Sequence, residues 1–145
     1  MKIKAGIIGG AGYTGGELIR LLLNHPGAAI SFIHSRSNAG QPVYSVHQDL
    51  VGETQMAFTG ELSNDIDVLF LCLGHGESKK FLSENKIADK VKVIDLANDF
   101  RLAAESTMGN RKFVYGLPEL NREKIQTAEN ISNPGCFATC IQLGL

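Results

Sequence analysis

Two short stretches of this sequence carry residue types that do chemistry. Near the carboxyl end, N-P-G-C sets Cys136 behind Pro134 and Gly135, where a helical pattern begins. Near the amino end, Gly10, Gly12 and Gly15 form G-x-G-x-x-G between a strand-like run and a helix-like one. A thiol in the first turn of a helix meets the positive end of the helix dipole, which favours the thiolate. Backbone N–H groups at the same place can stabilise an oxyanion. Pro134 suits an N-cap or first-turn position, and Gly135 leaves room for whatever lies above it. Cysteine is equally at home in a core. That reading suits Cys72, in a strand-like run, and Cys140, one helical turn inward from Cys136. Spacing alone leaves both readings of Cys136 open.

The glycines fit a dinucleotide site. One makes a tight turn, one lets backbone approach a pyrophosphate, and one packs the helix against the strand. The helix N-terminus then offers N–H groups to the anion. Tyr13 and Thr14, between the last two glycines, belong to the same candidate cofactor-binding turn. The position about 20 residues on distinguishes the two nicotinamide cofactors; it is Ser35, in H-S-R-S, and no carboxylate follows. Nothing there repels a 2′-phosphate. Arg36 can pair with one bidentately and Ser35 or Ser37 can donate to it, which favours NADP over NAD. The alternative is a solvated loop arginine.

The elements that must position these residues follow from the pattern. Short apolar runs (I-K-A-G-I-I, A-I-S-F-I-H, D-V-L-F-L-C-L, V-K-V-I-D, N-I-S) alternate with helical stretches. That pattern implies an α/β fold of the Rossmann type, a doubly wound, mainly parallel sheet with helices on both faces. In the first helix Leu18, Leu21 and Leu22 mark the apolar stripe, and Thr14 with Glu17 fits a capping box. N-H-P-G ends it. E-S-K-K-F-L-S-E-N-K predicts a weaker helix. Residues 35–60 read as loop with a short helix and an edge strand. The 145 residues bound one domain. With 43% apolar and 20% charged residues and a net charge of −1, the chain lacks the footprint of a nucleic-acid binder or a membrane protein. Three cysteines without framework spacing argue against a disulfide scaffold and for the cytoplasm. No metal site is expected.

The blocks G-Y-T-G-G-E-L, H-S-R-S-N-A-G, D-L-A-N-D-F-R-L, Y-G-L-P-E-L-N and S-N-P-G-C, which run from residue 12 to 136, resemble one family. It is N-acetyl-γ-glutamyl-phosphate reductase of arginine biosynthesis, within the aspartate-semialdehyde dehydrogenase superfamily. N-P-G-C is the widely shared part; Y-G-L-P-E-L-N and D-F-R-L are narrower. Gly74, Ala11 and Asn98 depart from the family's usual proline, serine and alanine. The resemblance implies NADPH-dependent reduction of a small-molecule acyl phosphate to an aldehyde through a thioester on Cys136. Asn133 and Arg101 become candidate substrate-binding residues, although Arg101 fits a structural salt bridge equally well. The family's acid–base histidine matches none of His25, His34, His47 and His75. The resemblance therefore implies a truncated NADP-binding domain over residues 1–145, with the substrate and dimerisation domain absent and the whole protein a homo-oligomer. An aspartate-semialdehyde dehydrogenase-like reductase and a non-catalytic NADP-binding module are the alternatives. A short-chain dehydrogenase is disfavoured, because Glu17, Gln48 and Glu119 stand where its Tyr-x-x-x-Lys lysine would be.

Overall fold

A computed structural model describes residues 1–145, which divide into two units, Met1–Cys72 and Leu73–Leu145. In the first, β1 (Ile3–Ile8) lies between β2 (Ala28–His34) and β3 (Val68–Leu71), and both pairings are parallel. The central strand is the most enclosed: Ala5, Ile7 and Ile8 are buried, as are Ile33, Leu69 and Leu71 beside it. A helix, α1 (Tyr13–Leu23), connects β1 to β2, which makes the βαβ unit that the alternation predicts.

The buried face of α1 differs from the expected stripe. Gly15, Gly16, Ile19 and Leu22 are buried, Leu18 is half-buried, and Leu21 is 70% exposed. The two glycines allow backbone to approach on their side of the helix, so that side turns inward and takes Ile19 and Leu22 with it. The expected capping box is not formed either. Gly12 is the N-cap and no side chain caps the helix, so Thr14 lies two residues too far in. Glu17 pairs instead with Arg20 at 2.9 Å. Between β2 and β3, residues 35–67 hold two 3₁₀ turns, Val43–Ser45 and Gln48–Leu50. Isolated bridges, His34 to Thr59 and Pro42 to Ala57, replace the expected edge strand. Val43, Leu50 and Phe58 anchor this segment in the core.

In the second unit the strand order is β4 (Lys92–Asp95), β7 (Asn130–Ser132), β6 (Arg111–Tyr115), β5 (Thr107–Met108). The first three are mutually parallel; β5 and β6 form an antiparallel hairpin through Gly109 at φ +56°. The helices are α2 (Glu77–Glu84), α3 (Pro118–Thr127) and α4 (Cys136–Gly144). β6, α3 and β7 make a second βαβ unit. The core of Leu73–Leu145 holds Val91, Val93, Phe100, Phe113 and Leu117, with the Phe100 and Phe113 rings stacked 3.9 Å apart. No helix is long and apolar enough to cross a membrane.

Candidate functional site

The glycine loop is built from its backbone outward. Gly9, at φ +78°, makes the left-handed turn that β1 needs to enter α1, a conformation cheap only for glycine. The Gly9 and Gly10 amides both donate to the His34 carbonyl, at 3.2 and 3.0 Å, and the Gly12 amide donates to the Gly9 carbonyl at 3.1 Å. The strand end, the turn and the end of β2 are thereby tied together. A Cβ at Gly15 would stand 2.5 Å from the Gly9 carbonyl oxygen and 2.7 Å from Gly10 Cα. A Cβ at Gly10 would run into Ile33. Gly12 is exposed, and its Cβ position meets only the Gly9 oxygen, at 3.4 Å. The first turn of α1 contains no acid and no side-chain cap, so its leading N–H groups are left for an anion. These features fit a dinucleotide pyrophosphate: tight packing behind the loop, open backbone in front, and no competing carboxylate.

One residue of this loop's support carries no motif signal. His47 is buried, its Nε2 is 2.7 Å from the Gly10 carbonyl oxygen, and its ring packs where a Cβ on Gly16 would stand, 2.5 Å from its Cε1. Its edge meets Phe58. The 3₁₀ turn that carries His47 therefore braces the glycine loop, and Arg20 on α1 clasps Asp49 two residues later at 2.6 and 2.7 Å. Only the pairing of an isolated histidine with an apolar stretch hinted at it.

At the end of β2, Ser35 is buried with its amide on the Thr59 carbonyl, while Arg36 and Ser37 are exposed. The Asn38 amide nitrogen lies 3.1 Å from the Ser35 hydroxyl and 3.0 Å from the Ser37 hydroxyl, which draws the two serines together. Arg36 makes no ion pair, and its charge reaches His34: burial first, and then Arg36, hold that imidazole below the usual histidine range. A cation flanked by two hydroxyls thus stands exposed beside β2 without a carboxylate partner.

The second cluster gathers around Cys136, the first residue of α4, with Gly135 as N-cap and Pro134 one position earlier than expected. Cys136 and Cys140 are both exposed, so the buried reading of Cys140 is not met: α4 buries no residue at all. Cys72 is buried, as expected, with its amide on the Ile8 carbonyl. The loop that delivers Cys136 is fixed from several sides. The Asn133 amide donates to the Asp95 carbonyl at 2.8 Å. Arg101 donates through Nε to the Asn133 carbonyl, at 2.9 Å, and through Nη2 to the Leu96 carbonyl, at 3.0 Å. Thr139 returns both its amide and its hydroxyl to the Gly135 carbonyl. The salt-bridge reading of Arg101 is not met, since its partners are carbonyls and no carboxylate pairs with it.

The other motif blocks support this loop. Asp99 accepts from the Gly76 and Lys79 amides at 2.6 and 3.0 Å and so satisfies the start of α2. The Gly116 amide donates to the Ser132 carbonyl, and a Cβ there would stand 2.5 Å from the Ile131 side chain. Asn121 donates to the Tyr115 carbonyl at 3.0 Å, while Gln142 of α4 donates to the Tyr115 hydroxyl at 3.1 Å. Asp95 is fully buried: Oδ1 accepts from the Ser78 hydroxyl and the Ala97 amide, while Oδ2 and its register neighbour Ser132 Oγ have no partner. Burial pushes the Asp95 carboxyl above the usual range. His75 is an exposed loop residue whose Nδ1 accepts from the Asn98 amide.

Comparison with known proteins assigns both clusters to one lineage. Residues 4–128 match the family model described as the NAD-binding domain of semialdehyde dehydrogenase. N-acetyl-γ-glutamyl-phosphate reductase of Christiangramia forsetii is 57% identical over 139 residues, 96% of this chain and 42% of its own. The enzyme of the same name from Bacteroides fragilis is 58% identical over 144 residues, 99% of this chain and 44% of its own. This chain thus spans less than half the length of these relatives. Among solved structures, aspartate semialdehyde dehydrogenase II of Vibrio cholerae aligns with a TM-score of 0.64 at 18% identity, over 96% of this chain and 44% of its own. The Candida albicans enzyme, solved with NADP, aligns at 0.62 and 20%, over 87% of this chain and 36% of its own. At such identity these structures establish the Rossmann-type fold alone.

Proposed function

We propose that this chain, which belongs to the semialdehyde dehydrogenase NAD-binding-domain family, is the cofactor-binding and nucleophile-bearing part of an NADPH-dependent N-acetyl-γ-glutamyl-phosphate reductase of arginine biosynthesis. The carrying observation is Cys136 exposed at the first position of α4 on a loop held by Arg101, Asp95 and Thr139. The relatives at 57–58% identity favour the glutamyl over the aspartyl substrate.

In this reading the Cys136 thiolate attacks the carbonyl carbon of the acyl phosphate. The carbon–oxygen bond to phosphate breaks, phosphate leaves, and an acyl thioester remains on Sγ. The first-turn amides of α4 offer donors to the oxyanion that forms on the way. Asn133, on the loop before Cys136, and Arg101, hydrogen-bonded to that loop, are the candidates to meet the substrate. NADPH, when bound, supplies the hydride that reduces the thioester; the thiohemiacetal then collapses to the semialdehyde and frees the thiol. Gly10, Gly12, Tyr13, Thr14 and Gly15 would hold its pyrophosphate, and Ser35, Arg36 and Ser37 its 2′-phosphate. We place the acid–base histidine and the dimerising surface in the part of the relatives that this chain does not span, and the protein in the cytoplasm.

The test is Cys136→Ser in the protein that carries this chain. Turnover should fall by on the order of 10⁴–10⁶, as it does when a covalent nucleophile is removed, with NADPH affinity unchanged. An acyl adduct mapped by mass spectrometry to Cys140 or Cys72 would refute the assignment.

A further inference from the structure

Gly135 sits at φ −74° and ψ 152°, an extended conformation open to any residue. Backbone conformation therefore does not account for a glycine before Cys136. Space does. A Cβ on Gly135 would lie 2.7 Å from Arg101 Nη1 and 3.5 Å from Arg101 Cζ. Nη1 of the guanidinium fills the space beside Gly135, and its Nε and Nη2 bridge the Asn133 and Leu96 carbonyls across two loops.

The geometry points to Arg101 as a positioning residue that fixes the N-P-G-C loop, and so the place of the Cys136 thiol at the start of α4, before any substrate arrives. This inference rests on the nucleophile reading above and adds a role that phosphate binding does not include. A planar fork with several donors suits two carbonyls at a fixed separation; a lysine ammonium is a point donor that cannot span them in the same way. With carbonyl bonds on Nε and Nη2, and Nη1 against Gly135, the side chain is held on three sides. α4 buries none of its own residues. The register of its first turn is therefore set by the loop and by the Tyr115–Gln142 contact rather than by core packing. Loosening the loop therefore misplaces Sγ relative to the first-turn amides of α4.

The experiment is substrate-free alkylation of this chain by iodoacetamide, with Cys136 and Cys140 quantified separately by peptide mass spectrometry. Both thiols are exposed on the same helix, so Cys140 is the internal control. Arg101→Lys and Arg101→Ala should lower the Cys136:Cys140 rate ratio by about tenfold, within the ~10² loss that ångström-scale misplacement brings. Gly135→Ala, which displaces Arg101 without removing its charge, should lower the ratio in the same direction. A variant that merely destabilises the fold would lower the ratio only in proportion to the unfolded fraction, which a parallel melting curve reports, whereas a positioning role lowers it while the chain is fully folded. A ratio unchanged in all three variants overturns the inference and leaves Arg101 to the phosphate. The nucleophile reading is judged separately by the mapped thioester.

Discussion

The two units use glycine for opposite ends. In residues 1–72, Gly15 and Gly16 bring α1 against the Gly9–Gly10 turn and His47, so absent side chains create packing and the loop is rigid from behind. In residues 73–145, Gly135 makes room for the end of one long side chain, and the helix that follows leaves Phe137, Ile141 and Leu143 exposed. The first arrangement holds a backbone surface for a ligand by burial. The second holds one side chain by hydrogen bonds from neighbouring loops. Precision of position has two sources here, and they should fail differently.

Matched alanine substitutions break the comparison most directly. At Gly15 the obstructing atoms are a carbonyl oxygen and a Cα, neither of which can yield without moving the loop. Gly15→Ala should lower unfolding stability by about 3 kcal/mol, the upper end for overpacking, and weaken NADPH with it. At Gly135 the obstruction is a side-chain end, Arg101 Nη1, which can move aside at the expense of its carbonyl bonds, so Gly135→Ala should cost about 1 kcal/mol, the scale of one hydrogen bond. Urea melts of the two variants decide this; equal losses would show that the second loop, too, is held by packing.

The next effect is confined to the first unit. Arg36 has no carboxylate partner to lose, so apart from relieving the buried His34 its removal should be felt by a ligand. Arg36→Ala should weaken NADPH by about 1.5–3 kcal/mol, roughly ten- to 150-fold, and leave NADH within error. Fluorescence titration with both cofactors measures it, and matching losses would remove the 2′-phosphate assignment.

How much of this was legible in the sequence follows the same division. The glycine turn and the helix starting at Cys136 are local patterns, and the structure forms both where the sequence places them. What escaped depended on contacts distant in the chain. The stripe of α1 was misplaced because glycines, not leucines, define its inner face. His47 was passed over because its partner, Gly10, is 37 residues away. The β5–β6 hairpin and α3 were not read as elements: β5 has two residues, and α3 buries none and leaves helical geometry at Asn121. The resemblance points to Y-G-L-P-E-L-N without a role and to D-F-R-L only through Arg101 as a candidate substrate-binding residue. Hydrogen bonds made by Gly116, Asn121, Asp99 and Arg101 show that they hold the ends of strands and helices around the loop before Cys136.

The smallest expected effect separates the units by the sign of their pH dependence. Asp49, clasped by Arg20 at the surface of the first unit, is pulled down to about 2. A carboxyl lowered by folding contributes stability that is present above its ordinary value of 3.8 and lost as pH falls toward 2. Asp49→Asn should therefore be less stable than the parent near neutrality, with the gap closing in acid, and salt should shrink it because the pair is exposed. Asp95 runs the other way. Burial raises its carboxyl, against the smaller opposing pull of its hydrogen bonds with Ser78 and Ala97. A carboxyl raised by folding contributes stability that is fully present below 3.8 and lost as pH climbs through the folded value. Asn in place of Asp95 keeps the Oδ1 acceptor for Ser78 and Ala97, carries no buried charge, and adds a donor where Oδ2 has no partner. Asp95→Asn should thus gain on the parent as pH rises from 4 toward 7, while Asp49→Asn loses on it as pH rises from about 2 to 4. Melting temperatures of both variants across the two ranges give the two slopes. Slopes of the same sign would mean that the Asp95 carboxylate has a compensating partner, and the unsatisfied oxygen beside the nucleophile loop would no longer explain why this unit prefers its proton.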